Sequence, residues 1–272
     1  MVQYRFRPDK KLSQFFCIKP SLLDKMVEDA SINSKDIVLE IGPGTGFLTE
    51  RLLKTKAKII VVEKDKRLAG IISDRFAKEI KSKKLTIIEG DFLEQDIDKL
   101  KVTKIVALPP YHLSSRIILK IVNSKAKIAV LMLDNGFVQK LTAFEGLKEY
   151  TTLSVLANLN GNISILKENI SGENFFPTPN CHNAIIKIEI DTKNNSTEFY
   201  HFIKEIFRYK NKDLSRSLRQ AFPFMKRDLY IKEEKLEAFI SDLDLADVKV
   251  NLLTPEQLLE VFEGLRKWKS IL

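Results

Sequence analysis

The chain has 272 residues, and 45 lysines and arginines against 36 acidic residues give it a net charge of +9 and a pI of about 9.3. No apolar run reaches the ~18 residues of a membrane span, the polar N-terminus lacks the apolar region of a signal peptide, and Cys17 and Cys181 have no metal, redox or disulfide spacing. These features predict a cytoplasmic, metal-free monomer of one large and one small domain, whose charge fits either a polyanionic partner or lysine-rich solvated faces.

The N-terminal arm, residues 1–19, combines basic and aromatic side chains and is expected to form a flap over a site. Its basic residues are Arg5, Arg7, Lys10 and Lys11. A helix is predicted from Ser21 to Ala30, with Ser21 as its N-cap.

A glycine-rich turn follows the first predicted strand, at 37–41. Gly42, Gly44 and Gly46 alternate along it and lead into a helix. Glycine lets the backbone adopt positive φ and approach a ligand closely. The spacing is G-x-G-x-G, which differs from the dinucleotide fingerprint G-x-G-x-x-G.

The next two predicted strands also end in residues suited to an adenosine ligand. The strand at 58–62 ends in Glu63, whose carboxylate could accept both hydroxyls of a ribose. The strand at 85–88 leads to Asp91 and Phe92, a carboxylate beside an aromatic ring. Together with Glu40, these strand ends resemble the S-adenosylmethionine site of class I methyltransferases.

Apolar runs continue the alternation of strand and helix and predict a doubly wound parallel α/β sheet. The last two runs, joined by a Pro-rich loop, are expected to pair antiparallel at one edge. The further runs lie at 104–108, 127–133, 153–159 and 184–190.

A polar break at 191–197 separates this sheet from a segment rich in lysine and arginine with helical periodicity. We therefore predict a methyltransferase domain over 20–192 and a helical RNA-binding domain over 193–272. Thr254 and Pro255 mark the start of its last helix.

The fourth predicted strand leads into Leu108-Pro109-Pro110-Tyr111. Methyltransferases that act on an exocyclic amine carry here a loop of Asn, Asp or Ser, an apolar residue, Pro, and Tyr or Phe. An adenine amine is a poor nucleophile, so catalysis needs acceptors that hold its hydrogens and an aromatic ring that stacks on the base. The carbonyls of Leu108 and Pro109 could accept, and Tyr111 could stack.

His112, Ser114 and Ser115 follow this loop but are not predicted to form a nucleophilic site. No carboxylate is placed to orient His112, and the two serines are suited to capping the next helix.

Further segments extend the comparison over nearly the whole chain. The first four are Lys11 to Phe16 (L-G-Q-N-F-L), Glu40 to Thr49 (E-I-G-P-G-T-G-x-L-T), Glu63-Lys64-Asp65 (E-x-D) and Gly90-Asp91 (G-D). Those that follow are Lys148 to Val155 (K-D-Y-G-x-L-S-V), Phe176 to Ala184 (F-x-P-x-P-x-V-x-S-A), Phe207 to Leu218 (F-x-x-R-R-K-T-L-R-N-x-L) and Leu253 to Leu258 (L-T-P-E-E-L). In this order they resemble the KsgA-type family of small-subunit rRNA adenine dimethyltransferases, which is related to the Erm resistance methyltransferases.

The resemblance implies dimethylation of two adjacent adenines near the 3′ end of small-subunit rRNA, and a role in assembly of the pre-30S particle. It implies that S-adenosylmethionine is held by Gln14, Glu40, Gly42, Gly44, Gly46, Glu63, Lys64, Asp91, Phe92 and Leu108. It implies catalytic roles for Leu108, Pro109, Pro110 and Tyr111. Phosphate contacts are expected from Lys204, Arg208, Lys210, Lys212, Arg216 and Arg219 of the C-terminal helices, besides the arm.

The departures from the family pattern lie on the substrate side. Leu108 stands where the family has Asn, Asp134-Asn135-Gly136 replaces a Q-K-E segment, and Ser13 and Phe15 replace Gly and Asn. Two other hypotheses therefore stay open: a cofactor-binding assembly factor with little catalysis, and a small-molecule methyltransferase, for which a basic arm and basic helices would serve no purpose.

Overall fold

A computed structural model of the protein describes residues 15–192, 196–229 and 232–267. Five residues with predicted roles lie outside this part of the chain, namely Arg5, Arg7, Lys10, Lys11 and Gln14.

The chain divides into two compact units. The first, here called the sheet unit, combines Met1–Val138 with Gly161–Thr192. The second, here called the helical unit, combines Gln139–Asn160 with Lys193–Leu272. The predicted single boundary after residue 192 differs from this division, because segment 139–160 groups with the C-terminal helices.

The sheet unit alternates strands and helices along the chain. Its strands are β1 (Phe16–Cys17), β2 (Ile37–Ile41), β3 (Lys58–Glu63), β4 (Leu85–Glu89), β5 (Lys104–Ala107), β6 (Ile128–Asp134), β7 (Gly161–Ile170), β8 (Phe175–Phe176) and β9 (Asn183–Ile190). Its helices are α1 (Pro20–Asp29), α2 (Phe47–Leu52), α3 (Lys66–Arg75), α4 (Ala77–Lys81), α5 (Ser114–Val122) and the start of α6 (Asn135–Leu141).

The main sheet has the strand order β4-β3-β2-β5-β6-β9-β7. β2 to β6 run parallel, and β9 runs antiparallel to β6 and β7. Chain order reverses direction between β2 and β5, and ligands bind at such a switch point, outside the carboxyl ends of the strands. The predicted doubly wound sheet with an antiparallel edge is confirmed.

One predicted strand is wrong. The apolar run at 153–159 forms a helix, α7 (Thr152–Asn160), and the edge strand that pairs with β9 is β7. A short apolar run fits a buried helix as well as a buried strand, so periodicity could not separate the two. Most of α7 is buried in the helical unit, and the hydroxyl of nearby Tyr150 donates to the carbonyl of Leu253 at 3.0 Å.

Within its described residues, the helical unit continues with four further α-helices. They are α8 (Thr197–Ile206), α9 (Leu214–Leu229), α10 (Glu233–Ser241) and α11 (Pro255–Lys267). Its core includes the rings of Phe199, Phe202 and Phe262, whose centroids lie 5.3 to 6.4 Å apart. The helical periodicity predicted for this region is therefore confirmed.

Two predicted helix starts have different outcomes. At α11 the Gln257 N–H donates to Thr254 Oγ1 at 3.2 Å and the Thr254 N–H donates to Gln257 Oε1 at 3.0 Å, which is a capping box. The prediction of Thr254 as a cap is confirmed. Ser21 as the N-cap of α1 is wrong, because the helix begins at Pro20, and proline is favoured at the first helical position.

Across the ranges that the structure describes, no helix combines the length and apolar character needed to cross a membrane. In the same ranges, no three His, Cys, Asp or Glu side chains converge on a point where a metal ion could be held.

Candidate active site

The glycine-rich turn after β2 is tightly packed. Gly44 has a φ of +59°, and a Cβ atom there would lie 2.4 Å from a ring carbon of Phe16. Gly46 has a φ of +86°, and its Cβ would lie 2.7 Å from the ring of Phe76. A side chain fits neither the left-handed backbone nor the contact, so only glycine is suited to both positions.

Two carboxylates are buried behind this turn. Glu63, at the end of β3, accepts the N–H of Asp65 at 2.9 Å and the N–H of Gly44 at 3.3 Å. Glu40 accepts the hydroxyl of Thr49 at 2.7 Å. Burial, and then the nearby charge of Glu63, raise the pKa of Glu40 to about 8, and burial also raises the pKa of Glu63. The two carboxylates therefore favour a ligand that brings hydrogen-bond donors or positive charge.

A third carboxylate follows β4. Asp91 accepts the N–H of Leu93 at 2.9 Å and forms an ion pair with Lys64 at 3.0 Å. These two contacts hold the pKa of Asp91 below its usual value. The ring of Phe92 is buried, with the ammonium of Lys120 5.8 Å from its centroid. Asp91 is thus an ionised acceptor beside an aromatic ring.

These strand ends line one cavity of about 400 Å³ in the sheet unit, a size typical of small-molecule sites. The predicted site residues that line it are Glu40, Gly42, Gly44, Glu63, Lys64, Asp91, Phe92, Leu108 and Pro110. Gly46, Pro109 and Tyr111 lie outside its lining, although all three belong to segments that do line it.

Tyr111 is held by a partner on β9. Its hydroxyl donates to Asn183 Oδ1 at 2.6 Å, and Asn183 is fully buried. The thiol of Cys181 lies near the same hydroxyl and near Asp134, and burial, followed by the hydrogen bond with Asp134, raises its pKa to about 11. The thiol therefore stays protonated at neutral pH.

Phe15 covers one face of the Tyr111 ring. The two ring centroids are 5.5 Å apart, the ring planes are inclined by 18°, and Phe15 also lines the cavity. Phe15 and Leu108, two of the departures from the family pattern, therefore both face the cavity.

The segment after Tyr111 differs from its prediction in one detail. α5 begins at Ser114 and its N-cap is Leu113, so Ser114 and Ser115 as capping residues are wrong. The Ser114 hydroxyl is buried, and within the residues described here it has no hydrogen-bond partner. His112 is exposed and lines the cavity.

Several functional candidates escaped the sequence reasoning. Asn183, Cys181 and Phe15 approach Tyr111 only in the folded chain, and Asn183 is 72 residues away from it. Arg116 lines the cavity and contributes its charge to lowering the pKa of Asp91. The one available signal was the presence of Phe15 where the family motif has Asn.

Of the ten basic residues predicted to contact RNA, the six of the C-terminal helices lie in the helical unit, and most of these six are already engaged. Arg208 pairs with Glu205 at 2.8 Å, Arg219 with Glu237 at 2.7 Å, and Arg216 lies 3.7 Å from Asp213. The Lys210 ammonium donates to the carbonyls of Lys148 and Tyr150, and Lys212 donates to Gln220. Lys204 is exposed.

Comparisons with known proteins identify the family of the chain. The family model for ribosomal RNA adenine dimethylase matches residues 5–267. A Pyrococcus furiosus protein named probable ribosomal RNA small subunit methyltransferase A is 30% identical over 268 residues, covering 97% of this chain and 94% of the relative. A protein of the same name from Methanococcus maripaludis is 32% identical over 258 residues, covering 93% and 95%.

Solved structures of similar fold support the same architecture. A dimethyladenosine transferase from Plasmodium falciparum has a TM-score of 0.81 at 24% identity, covering 93% of this chain and 98% of its own. The 23S rRNA methyltransferase ErmE has a TM-score of 0.62 at 20% identity, covering 92% and 99%. These likenesses confirm the predicted methyltransferase fold.

Proposed function

This chain belongs to the ribosomal RNA adenine dimethylase family, and from that premise we propose that it methylates the exocyclic amine of adenines in small-subunit rRNA with S-adenosylmethionine. One observation carries the proposal. The ends of four parallel strands bring a glycine turn, Glu63, Asp91 and the Leu108 loop into a single cavity.

The cofactor side of this cavity fits S-adenosylmethionine. The glycine turn leaves open space beside Gly42, where an added Cβ would meet no atom within 4 Å. Glu63 is held by two N–H groups, and its remaining lone pairs can accept both hydroxyls of a ribose. Asp91 and Phe92 would hold an adenine ring, with Lys64 and Glu40 completing the polar wall. Gly44 and Gly46 keep the turn close to its neighbours.

Tyr111 and the loop before it would hold the target base. The carbonyls of Leu108 and Pro109 would accept the two hydrogens of the amine, which aims the nitrogen lone pair, while Pro110 sets the direction of the loop. The Tyr111 ring would stack on the extruded adenine. When bound, S-adenosylmethionine supplies a methyl carbon that its sulfonium activates, so each transfer needs only the release of one amine proton to water.

The helical unit and the arm would bind the phosphate backbone. Lys204 and Lys212 are exposed, and the Lys212 ammonium donates to the side chain of Gln220. Three arginines already pair with acidic side chains, so each would contact a phosphate only while also contacting its acidic partner or after releasing it: Arg208, Arg216 and Arg219. The Lys210 ammonium is held by two backbone carbonyls. We also propose phosphate contacts from the arm residues Arg5, Arg7, Lys10 and Lys11, and a cofactor contact from Gln14.

The same proposal covers the particle that is methylated and the conditions under which the protein acts. A precursor of the small subunit, with two adjacent adenines near the 3′ end of its rRNA, is the proposed substrate. We also propose that the protein acts in the cytoplasm as a monomer and needs no metal.

A methylation assay tests the proposal. Small subunits that lack the modification are incubated with the protein and labelled S-adenosylmethionine, and nucleosides are identified by mass spectrometry. We expect dimethyladenosine near the 3′ end of the rRNA and 1:1 cofactor binding by calorimetry. Absence of cofactor binding at millimolar concentration would contradict the methyltransferase assignment. Binding of cofactor and subunits without turnover would instead favour the assembly-factor hypothesis.

A further inference from the structure

Phe15 stacks on one face of Tyr111, the ring that is proposed to stack on the target base. The centroids are 5.5 Å apart and the planes nearly parallel, which is the offset geometry that aromatic pairs prefer. A base between two rings would need about 7 Å, twice the ~3.4 Å rise between stacked bases. The covered face of Tyr111 therefore cannot accept an adenine while Phe15 stays in place.

Both aromatic rings are positioned by contacts with residues other than the stacking partner. The residues after Phe15 pair with a second strand, because Phe16 lies opposite Phe176 and the Ile18 N–H donates to the Asn174 carbonyl at 2.8 Å. Tyr111 is fixed by its hydrogen bond to buried Asn183. The contact therefore results from anchored neighbours on both sides.

Phe15 is also a position at which this chain departs from the family motif. The family motif has Asn at this position and Asn at the position of Leu108. In this chain both residues are apolar and both line the cavity. The target side of the site has thus gained an aromatic ring on one face of Tyr111, the ring proposed to stack on the base.

We propose that Phe15 is a placeholder for the target adenine, stacking on Tyr111 in the RNA-free protein and giving way when the base enters. The inference rests on the proposed function and names a specificity-determining residue for it. Since the base must replace an existing stack, its net gain on binding is reduced by the stack that it displaces. Phe15 thereby favours a base that stacks strongly and also satisfies the carbonyls of the loop.

The first test compares RNA affinities. Fluorescence anisotropy measures binding of an RNA hairpin that carries the two adjacent adenines, with S-adenosylhomocysteine present at saturation. Phe15→Ala should bind about three- to tenfold more tightly than the natural protein, the value of one aromatic stack. Phe15→Tyr keeps an aromatic ring and should bind the hairpin with the same affinity as the natural protein. Ile165→Ala, which shortens an exposed side chain of β7 in the sheet unit, should not change it. Equal or weaker binding by Phe15→Ala, with unchanged cofactor affinity and melting temperature, would overturn the inference.

The second test observes the displacement itself. In protein with labelled aromatic rings, nuclear Overhauser effects between Phe15 and Tyr111 should be present without RNA and absent at saturating hairpin. Effects that persist in the complex would refute the placeholder. Turnover adds a separate readout, because Phe15→Ala should lower the KM for RNA and leave kcat unchanged, whereas a merely structural loss would raise KM or lower kcat. If no form of the protein methylates RNA, the proposed function fails, while RNA binding and the ring-to-ring effects still decide the role of Phe15.

Discussion

The cofactor side and the target side of the cavity are built from different kinds of contact. On the cofactor side, Glu63 and Asp91 are oriented by backbone N–H groups: Glu63 accepts from Asp65, two residues away, and from Gly44, nineteen residues away, and Asp91 accepts from Leu93. On the target side, Tyr111 is positioned by Asn183, 72 residues away, and by Phe15 from the N-terminal segment.

This difference indicates that the target side can accept substitutions without a change in the cofactor side. The cofactor side needs residue types that the turn geometry itself requires, such as glycine at position 44. The target side combines side chains from several distant segments, so a substitution such as that of Asn by Leu108 can be accompanied by changes elsewhere. Substitutions on the target side should therefore alter turnover and RNA affinity, and leave cofactor affinity unchanged.

Leu108→Asn should have the largest effect and tests the target side of the cavity. An asparagine would add a preorganised acceptor for the adenine amine, so methylation of unmodified small subunits should rise by up to ~10²-fold. Leu108→Met, which stays apolar, should not raise the rate. Cofactor affinity, measured by calorimetry, should remain constant in both variants. A natural enzyme that is already fast and is slowed by Leu108→Asn would show that the backbone carbonyls suffice.

Glu63→Ala is the corresponding change on the cofactor side. Loss of charge-assisted hydrogen bonds, worth about 1.5–3 kcal/mol, should raise the Kd for S-adenosylhomocysteine about 10- to 100-fold. Glu89 lies opposite Glu63 on β4 and is exposed, so Glu89→Ala is a matched control that should leave the Kd unchanged. RNA affinity should not change in either variant. If Glu63→Ala bound cofactor normally, Glu63 would not be a ribose ligand.

Burial of Glu40 should make stability depend on pH. Its pKa is about 8 in the folded protein against an ordinary 4.5. Between these values the folded protein keeps a proton that the unfolded chain loses, so the free energy of unfolding should fall as pH rises, by up to about 1.4 kcal/mol per pH unit. The contribution is complete below pH 4.5 and lost above about pH 8. Urea titrations should show this slope reduced in Glu40→Gln, which still accepts from Thr49, and retained in Glu89→Gln. An identical slope in Glu40→Gln would mean that Glu40 titrates normally.

Sequence patterns anticipated the cofactor side better than the target side, for a physical reason. Strands β2 to β6 and the residues at their ends follow from local apolar runs and turns, and the fold then brings those ends together. The run at 153–159 is an exception, because a short apolar run fits a buried helix as well as a buried strand, and its partners lie in the helical unit. Nothing near Tyr111 in the chain indicates Asn183 or Phe15, since only tertiary structure joins them.

The smallest expected effect is a change in the salt dependence of RNA affinity. It distinguishes phosphate contacts outside the cavity from contacts with the target base inside it. Removal of one lysine or arginine that neutralises a phosphate should reduce the slope of log affinity against log salt by about one. Lys204→Ala should lower the slope by that amount, and Arg219→Ala by less, because Glu237 already holds Arg219 through bonds of 2.8 and 2.7 Å. Leu108→Asn should leave the slope unchanged, since it adds no charge that could pair with a phosphate. Salt titrations with the rRNA hairpin measure the slope for all three variants. An unaltered slope in Lys204→Ala would indicate that the basic arm, and not the helical unit, binds the phosphates.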